Sequence, residues 1–258
     1  MQTTSLLFFT PMLKAIALSL SLLLFLAGCT TTQDVQPSRH NETVVIIHGL
    51  ARSGFAMRSL TGRIEKAGYR TFVVDYSSLG RPMGEVVNDV TRQVNSCCHD
   101  AVKVHFVGHS LGGLLTRAYF SQPQSEKLRQ KLGQVIMIGT PNQGSAIVDH
   151  YEDRWWMNRL GDTTLSLGTT QEGFPQKLPL PDFRPGVIAG TNGWFLSDRI
   201  FGEKNDGLVA ASSTKLANMA DYVEIDVGHS MMRFNKEVAK QTLYFLEHGQ
   251  FSKAQHSD

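Results

Sequence analysis

The sequence predicts an α/β fold in which helices cover both faces of a mostly parallel central sheet. Segments typical of strands and of helices alternate along most of the chain, as they do in parallel β-α-β units. The predicted strands are continuous apolar runs, which is expected of strands that are buried on both faces. A serine between two glycines also lies where one of these strands meets the next helix.

The composition limits the classes of protein to which the chain can belong. Its 258 residues are 41% hydrophobic and 19% charged, which is enough for one sizeable core and, we expect, one folded domain. The formal net charge of +2 gives no reason to propose a nucleic acid partner.

The N-terminus is predicted to be a targeting segment and not part of the fold. The apolar run at 15–27 follows Lys14 and is shorter than the roughly 20 residues that a membrane-spanning helix needs. It ends in Leu26-Ala27-Gly28-Cys29, which resembles a bacterial lipobox. The resemblance implies a lipoprotein signal peptide over residues 1–28, followed by lipidation of Cys29. An uncleaved anchor or an ordinary secretion signal is the alternative.

A polar segment separates this cysteine from the predicted domain. Residues 29–41 are expected to be the lipidated cysteine and a flexible tether. Thr30 stands where an inner-membrane retention signal would have aspartate, so the resemblance implies the outer membrane of a bacterial envelope, facing the periplasm. The folded domain is expected over 42–250, with a polar tail at 251–258.

Hydrophobic spacing places the elements of the domain. Strands are predicted at 43–47, 71–75, 102–107, 134–138, 185–190 and 221–227. Helices are predicted from Ser53, a possible N-cap, to Lys66, along the apolar face from Met83 to Val94, after residue 112, and from about 233 to 247.

The most informative motif is Gly108-His109-Ser110-Leu111-Gly112, between the third predicted strand and its helix. A serine in this context is typical of a nucleophile elbow. The turn is too tight for side chains two residues before and after the serine, which explains the two glycines.

Other reactive residues follow neighbouring strands. His48-Gly49-Leu50 follows the first strand, Asp206 comes after the fifth, and His229 comes after the sixth. Because the carboxyl ends of parallel strands meet at one edge of a sheet, these residues are expected near Ser110. A serine needs an adjacent base, and histidine titrates near the working pH. We therefore predict a catalytic triad of Ser110, His229 and Asp206.

Two details of this predicted site follow from the fold. An oxyanion hole would use the backbone N–H groups of Leu50 and Leu111. The acid must orient the imidazole and lie between Ser110 and His229 in the chain, which leaves alternatives to Asp206. The first is Asp198, followed by Asp182 and Asp226.

With Gly139-Thr140-Pro141-Asn142-Gln143-Gly144-Ser145, these motifs make the chain resemble an α/β-hydrolase of the bacterial lipase and esterase group. The likeness spans roughly residues 43–247 and extends more loosely to the inositol-deacylase branch. It implies the α/β-hydrolase fold and a serine carboxylic ester hydrolase that acts on lipid-like acyl esters through an acyl-enzyme. An acyltransferase, thioesterase or amidase with the same triad, or a non-catalytic binding lipoprotein, is the alternative.

The segment at 145–185 is a long insertion between two strands and contains many aromatic and aliphatic residues. Long insertions in compact domains are often lids, so a cap that binds the acyl chain is expected. Trp155 and Trp156 are the predicted substrate-binding residues, together with His48 beside the serine. Alternatively, the aromatic residues only pack a short helical insertion onto the domain.

No metal or cofactor is expected. The chain has no H-E-x-x-H, P-loop or G-x-G-x-x-G motif. Cys97 and Cys98 lack zinc-ligand spacing, and they could form a vicinal disulfide, bridge two molecules or stay unpaired. The resemblance and the predicted anchor imply two partners, an acyl ester or lipid substrate and the membrane that holds the anchor.

Overall fold

The computed structural model describes Arg39 and residues 41–253. The chain divides into two units at 1–37 and 38–258, and only the second is described below. The predicted signal peptide, Cys29 and nearly all of the tether lie outside the described residues. No helix in the described part is long and apolar enough to cross a membrane.

In the described part of the chain, six parallel strands form one sheet in the order β2-β1-β3-β4-β5-β6. This confirms the predicted fold class. The strands are β1 (Glu42–Ile47), β2 (Arg70–Val74), β3 (Lys103–His109), β4 (Leu132–Ile138), β5 (Gly186–Gly190) and β6 (Asp221–Ile225). The strand order reverses between β1 and β3, so the loops after these two strands flank a crevice. Ile47 pairs with Gly108 in this register, which brings the loop after β1 beside the serine turn.

Helices cover both faces of this sheet. The α-helices are α1 (Arg58–Lys66), α2 (Met83–Ser96), α3 (Leu111–Phe120), α4 (Glu126–Arg129), α5 (Ala146–Tyr151), α6 (Trp155–Leu160), α7 (Asp162–Leu165), α8 (Phe174–Lys177), α9 (Phe195–Phe201) and α10 (Lys236–His248). Short 3-10 turns occupy Gly54–Met57, Pro123–Ser125, Ser212–Thr214 and His229–Met231.

The side chains of β1 show why its last four residues are all apolar. Val45 and Ile47 pack into the core on one face of the sheet, and Val44 and Ile46 pack into the core on the other. All four are fully buried. Because both faces are covered, the strand cannot alternate apolar with polar residues.

Element boundaries differ from the predicted ones where turns intervene. Ser53 makes no side-chain cap, and a 3-10 turn precedes α1. The last helix starts at Lys236, because the carboxamide of Asn235 caps it by accepting the N–H groups of Glu237 and Val238. Packing also continues past residue 250, since Phe251 is buried against the core.

The insertion at 145–185 folds as the four short helices α5 to α8 between β4 and β5. Val148, Met157 and Leu167 are buried in the same core as β3 and α3. Several other apolar residues of the insertion are partly buried, and Trp155 and Leu180 are exposed. The insertion therefore packs onto the domain, and it also supplies one wall of the cavity described below.

Candidate active site

The serine turn holds Ser110 in a conformation that few residues adopt. Its φ of 55° and ψ of −123° lie outside the favoured regions for a residue other than glycine. A Cβ on Gly108 would lie 2.6 Å from the carbonyl carbon of Gly112, and one on Gly112 would overlap the carbonyl oxygen of Ile47. Close backbone approach therefore explains the glycines on either side of Ser110.

Ser110, His229 and Asp206 meet at the carboxyl edge of the sheet. The Oγ of Ser110 lies 2.9 Å from Nε2 of His229, and Nδ1 of the same ring lies 2.7 Å from Oδ2 of Asp206. With the proton on Nδ1, His229 donates to the carboxylate and accepts from the serine hydroxyl. All three side chains are buried. The structure thus brings together the three residues of the predicted triad.

The loop around Asp206 is shaped by its own hydrogen bonds. Oδ1 of Asp206 accepts the N–H groups of Leu208 and Val209 at 3.0 and 2.8 Å, which leaves Oδ2 for the imidazole. Asn205 accepts the N–H of Gly207, and its own amide donates to Asp198 at 2.8 Å. Asp198 therefore supports this loop and does not contact His229.

The remaining alternative acids also have other partners. Asp182 pairs with Arg129, and Asp226 accepts from the amide of Asn192 at 2.9 Å. Neither carboxylate contacts His229.

The loop after β1 passes against the serine. A Cβ on Gly49 would lie 3.0 Å from Cβ of Ser110. In the described part of the chain, the N–H groups of Leu50 and Leu111 do not donate to any protein acceptor. Their positions, next to and directly after the serine, suit the binding of a carbonyl oxygen that gains negative charge.

A mainly apolar cavity of about 530 Å³ opens beside Ser110 and His229. Its walls come from the loop after β1, the insertion and the region before β6. The apolar lining residues are Leu50, Ile147, Val148, Tyr151, Trp156, Met157, Leu160, Leu167, Trp194, Leu208 and Val209. A chain of methylene groups is the kind of ligand that such walls favour.

Of the predicted substrate-binding residues, only Trp156 lines this cavity. Trp155 is 71% exposed and lies beside the guanidinium of Arg159, so the structure does not place it in the cavity. Consecutive residues of a helix point about 100° apart, so Trp155 and Trp156 face different directions.

His48 is also placed differently from its predicted role. It is fully buried behind the loop and does not line the cavity. Its ring stacks on Tyr76 at 4.1 Å, and its Nδ1 donates to the carbonyl of Gly49 at 2.9 Å. Burial lowers the pKa of His48, which favours the neutral ring. His48 therefore holds the loop that carries the N–H of Leu50.

Two residues that the sequence analysis did not single out support the site. The first is His109, inside the serine motif. Its Nε2 donates to the backbone carbonyl of His229 at 3.0 Å. Burial, and the nearby ring of His229, lower the pKa of His109 well below its usual value. A neutral His109 thus fixes the position of the loop that carries His229.

The second is Arg117, a charged residue in the apolar helix α3. Its guanidinium is buried and donates to the carbonyls of Asn142, Leu178 and Pro179 at 3.0–3.2 Å. Burial lowers its pKa to about 10. This residue ties the helix after Ser110 to the end of the insertion. A single arginine within an otherwise apolar helix was the available sequence signal.

No group of His, Cys, Asp and Glu side chains among the described residues could hold a metal ion. Cys97 and Cys98 form a vicinal disulfide after α2. This is one of the three states that the sequence left open.

Comparison with protein families identifies the chain. The model of the palmitoyl protein thioesterase family matches residues 43–177, just over half of the sequence. The chain belongs to this family. The match includes Ser110 and ends before Asp206 and His229, so the placement of those two residues comes from the structure alone. The comparison with curated proteins found no match.

Solved structures show the same fold. A lipase from Bacillus licheniformis in its mature form has 20% identity and a TM-score of 0.61 over 81% of this chain and 91% of that chain. A lipase-esterase related protein from Clostridium acetobutylicum has 13% identity and a TM-score of 0.55 over 81% and 96%. A metagenomic carboxyl esterase has 16% identity and a TM-score of 0.55 over 75% and 65%. This thioesterase family member therefore has the α/β-hydrolase fold, and family and fold together support an acyl ester hydrolase.

Proposed function

We propose that the protein is a serine hydrolase that cleaves carboxylic esters of lipid-like acyl chains through an acyl-enzyme on Ser110. The observation that carries the proposal is the contact of His229 with both Ser110 and Asp206, at 2.9 and 2.7 Å. A serine hydroxyl is a weak nucleophile unless a base takes its proton, and this geometry supplies the base.

The reaction would proceed in two halves. Ser110 attacks the ester carbonyl while its proton moves to Nε2 of His229, and the carboxylate of Asp206 stabilises the imidazolium. The N–H groups of Leu50 and Leu111 stabilise the oxyanion. The intermediate collapses as His229 gives the proton to the leaving alcohol. Water, activated by the same histidine, then releases the acid.

The apolar cavity supports the choice of acyl group. Its volume of about 530 Å³ and its aliphatic and aromatic walls suit an alkyl chain. Each buried methylene contributes about 0.8 kcal/mol, so two further carbons should raise kcat/KM by roughly tenfold until the cavity is full. A preference for acetyl over octanoyl esters would contradict a lipid-like substrate.

The family match favours a second candidate, a thioesterase with the same residues. An octanoyl ester of an alcohol and the octanoyl thioester of the corresponding thiol form a matched pair that separates the two activities. The enzymatic rate for each is compared after division by its rate of hydrolysis by free hydroxide. Adding a competing alcohol tests for acyl transfer, because a transferase would form the new ester at the expense of the free acid.

The direct test compares two serine variants that both alter the cavity. Ser110→Ala should lower kcat on p-nitrophenyl octanoate by at least about 10⁴-fold, as is usual when a triad member is lost. Ser230→Ala, which also changes a residue lining the cavity, should retain activity within a few-fold. Activity of Ser110→Ala equal to that of Ser230→Ala would contradict Ser110 as the nucleophile, whereas a wild-type protein without activity would leave only a binding role.

The envelope anchor and the inositol-deacylase likeness rest on sequence motifs alone. We propose that Cys29 carries lipid, holds the enzyme at the outer membrane and brings it near membrane acyl esters. Labelled palmitate should enter the wild-type protein and not Cys29→Ser, and the wild type should sediment with membranes. A wild-type protein found wholly in the soluble periplasmic fraction would contradict the anchor.

A further inference from the structure

A second cavity of about 440 Å³ adjoins the catalytic one. The two share Ala51, Arg52 and Arg233 in their linings, so they meet at the loop after β1. The second cavity differs in character because three arginines line it, Arg52, Arg58 and Arg233, with Phe55 and Phe234 between them. We call this cavity, defined by these five residues, the arginine pocket.

The charges of the arginine pocket are not neutralised by the protein. None of the described carboxylates lies within ion-pair distance of Arg52, Arg58 or Arg233. The nearby carboxylate of Asp75 accepts the N–H of Gly54 at 2.7 Å instead. A concave site lined by three unpaired guanidinium groups attracts anions.

Two of the three arginines lie over aromatic rings, whereas Nη1 of Arg52 donates to the carbonyl of Ala51 at 3.0 Å. The guanidinium of Arg58 lies over the ring of Phe55 at 4.1 Å, and that of Arg233 lies over Phe234 at 4.9 Å. The Nε of Arg233 is buried and has no hydrogen-bond partner among the described residues. An anionic oxygen would satisfy such a donor, and charge-assisted hydrogen bonds of this kind are strong.

The positive charges of Arg52 and Arg233 also repel each other. Burial and the positive charge of Arg52 lower the pKa of Arg233. Two like charges at the junction of the cavities oppose each other unless an anion lies between them. Such an anion would lie at the boundary with the catalytic cavity, which Ser110 also lines.

We propose that the arginine pocket binds a phosphate group on the alcohol portion of the ester, while the acyl chain occupies the apolar cavity. The proposal rests on the proposed function, because it assigns the leaving-group side of the same site. An ester at Ser110 would then extend its acyl chain along Trp156 and Leu167 and its phosphate towards Arg52 and Arg233. The substrate class is an acyl ester of a phosphorylated alcohol.

The test uses two esters that differ only by the phosphate, 1-decanoylglycerol and 1-decanoylglycerol 3-phosphate, both as monomers in solution. The wild-type protein should have a kcat/KM at least tenfold higher for the phosphorylated ester. In Arg233→Gln and in Arg52→Gln this ratio should fall by tenfold or more. Arg199→Gln is the matched control, since Arg199 lies on α9 and lines neither cavity, and it should keep the wild-type ratio.

Inorganic phosphate distinguishes the phosphate itself from the lipid that carries it. It should inhibit hydrolysis of the phosphorylated ester competitively and should raise the Tm of the wild-type protein more than that of Arg233→Gln. A wild-type ratio near one, together with no effect of phosphate on Tm, would overturn the proposal. So would arginine variants that keep the ratio but lose activity only on vesicles of anionic lipid, because the arginines would then contact a membrane surface.

The Tm measurement separates this proposal from the proposed function. If the protein hydrolyses neither these esters nor p-nitrophenyl octanoate but phosphate still raises its Tm through Arg233, the pocket is an anion site and the ester hydrolase assignment is wrong. If both esters are hydrolysed equally and phosphate has no effect, the hydrolase assignment stands and the pocket is not an anion site.

Discussion

Replacing Arg117 with methionine tests whether the buried guanidinium ties the helix after Ser110 to the insertion. The guanidinium makes five donor contacts of 3.0–3.5 Å, two to Asn142 and one each to the carbonyls of Pro175, Leu178 and Pro179. The two Nη nitrogens carry four N–H groups, so these contacts amount to at most four full hydrogen bonds. At about 1.5 kcal/mol for each hydrogen bond from a charged donor, their loss destabilises the fold by about 6 kcal/mol. Removing a buried charge has the opposite effect.

The size of that opposing effect follows from the pKa of the group. Burial lowers the pKa of Arg117 from 12.5 to about 10. At about 1.4 kcal/mol for each pKa unit, the variant regains about 3.5 kcal/mol by no longer burying the charge. The expected net change is therefore a loss of about 2.5 kcal/mol in the free energy of unfolding, with activity on octanoyl esters reduced as the insertion loosens.

Urea unfolding monitored by tryptophan fluorescence measures this change. Arg92→Met is the matched control, because Arg92 is largely exposed and pairs only with Asp89 on its own helix. The control should change the free energy of unfolding by less than about 0.5 kcal/mol. An Arg117→Met variant as stable as the control would show that these contacts do not hold the insertion in place.

Three further predictions concern the cavity, the acid and a buried histidine. Trp156→Ala should flatten the rise of kcat/KM from acetyl to octanoyl esters, whereas Trp155→Ala, on the exposed neighbour, should not; equal effects would contradict the assigned wall. Asp206→Asn should lower kcat by about 10³–10⁴-fold, and Asp198→Asn by less than about tenfold, with the reverse order identifying Asp198 as the acid. Because burial lowers the pKa of folded His109, the unfolded chain binds the proton first as the pH falls through about 6.5, so stability is lost between pH 7 and 5. The variant His109→Gln keeps a hydrogen-bond donor but does not titrate in this range. Its free energy of unfolding, measured by chemical unfolding, should therefore fall by up to about 2 kcal/mol less than that of the wild type between pH 7 and 5. An unchanged pH dependence would refute this assignment.

The fold could be predicted from the sequence because its signals are local. Apolar strands such as β1 are buried on both faces, and the glycines around Ser110 are required by close backbone contacts. The order of the reactive residues along the chain also placed Ser110, Asp206 and His229 at the same edge of the sheet, since parallel strands end there.

The supporting residues were less predictable because their roles depend on contacts between distant segments. The partners of Arg117 lie 25 to 62 residues away in the chain. His48 follows β1 as expected, yet its side chain turns into the core and stacks on Tyr76. The exposed position of Trp155 likewise depends on how α6 rotates against the core, which hydrophobic spacing in a six-residue helix does not determine.

The covalent adduct of a fluorophosphonate probe tests the central claim most directly, because only an activated serine reacts rapidly with such a probe. Mass spectrometry of peptides from the wild-type protein should show a single adduct on Ser110. Ser110→Ala should show none, and His229→Ala should react far more slowly, since the base contacts Oγ at 2.9 Å. Labelling of Ser110→Ala to the wild-type extent would contradict the assignment of Ser110 as the nucleophile.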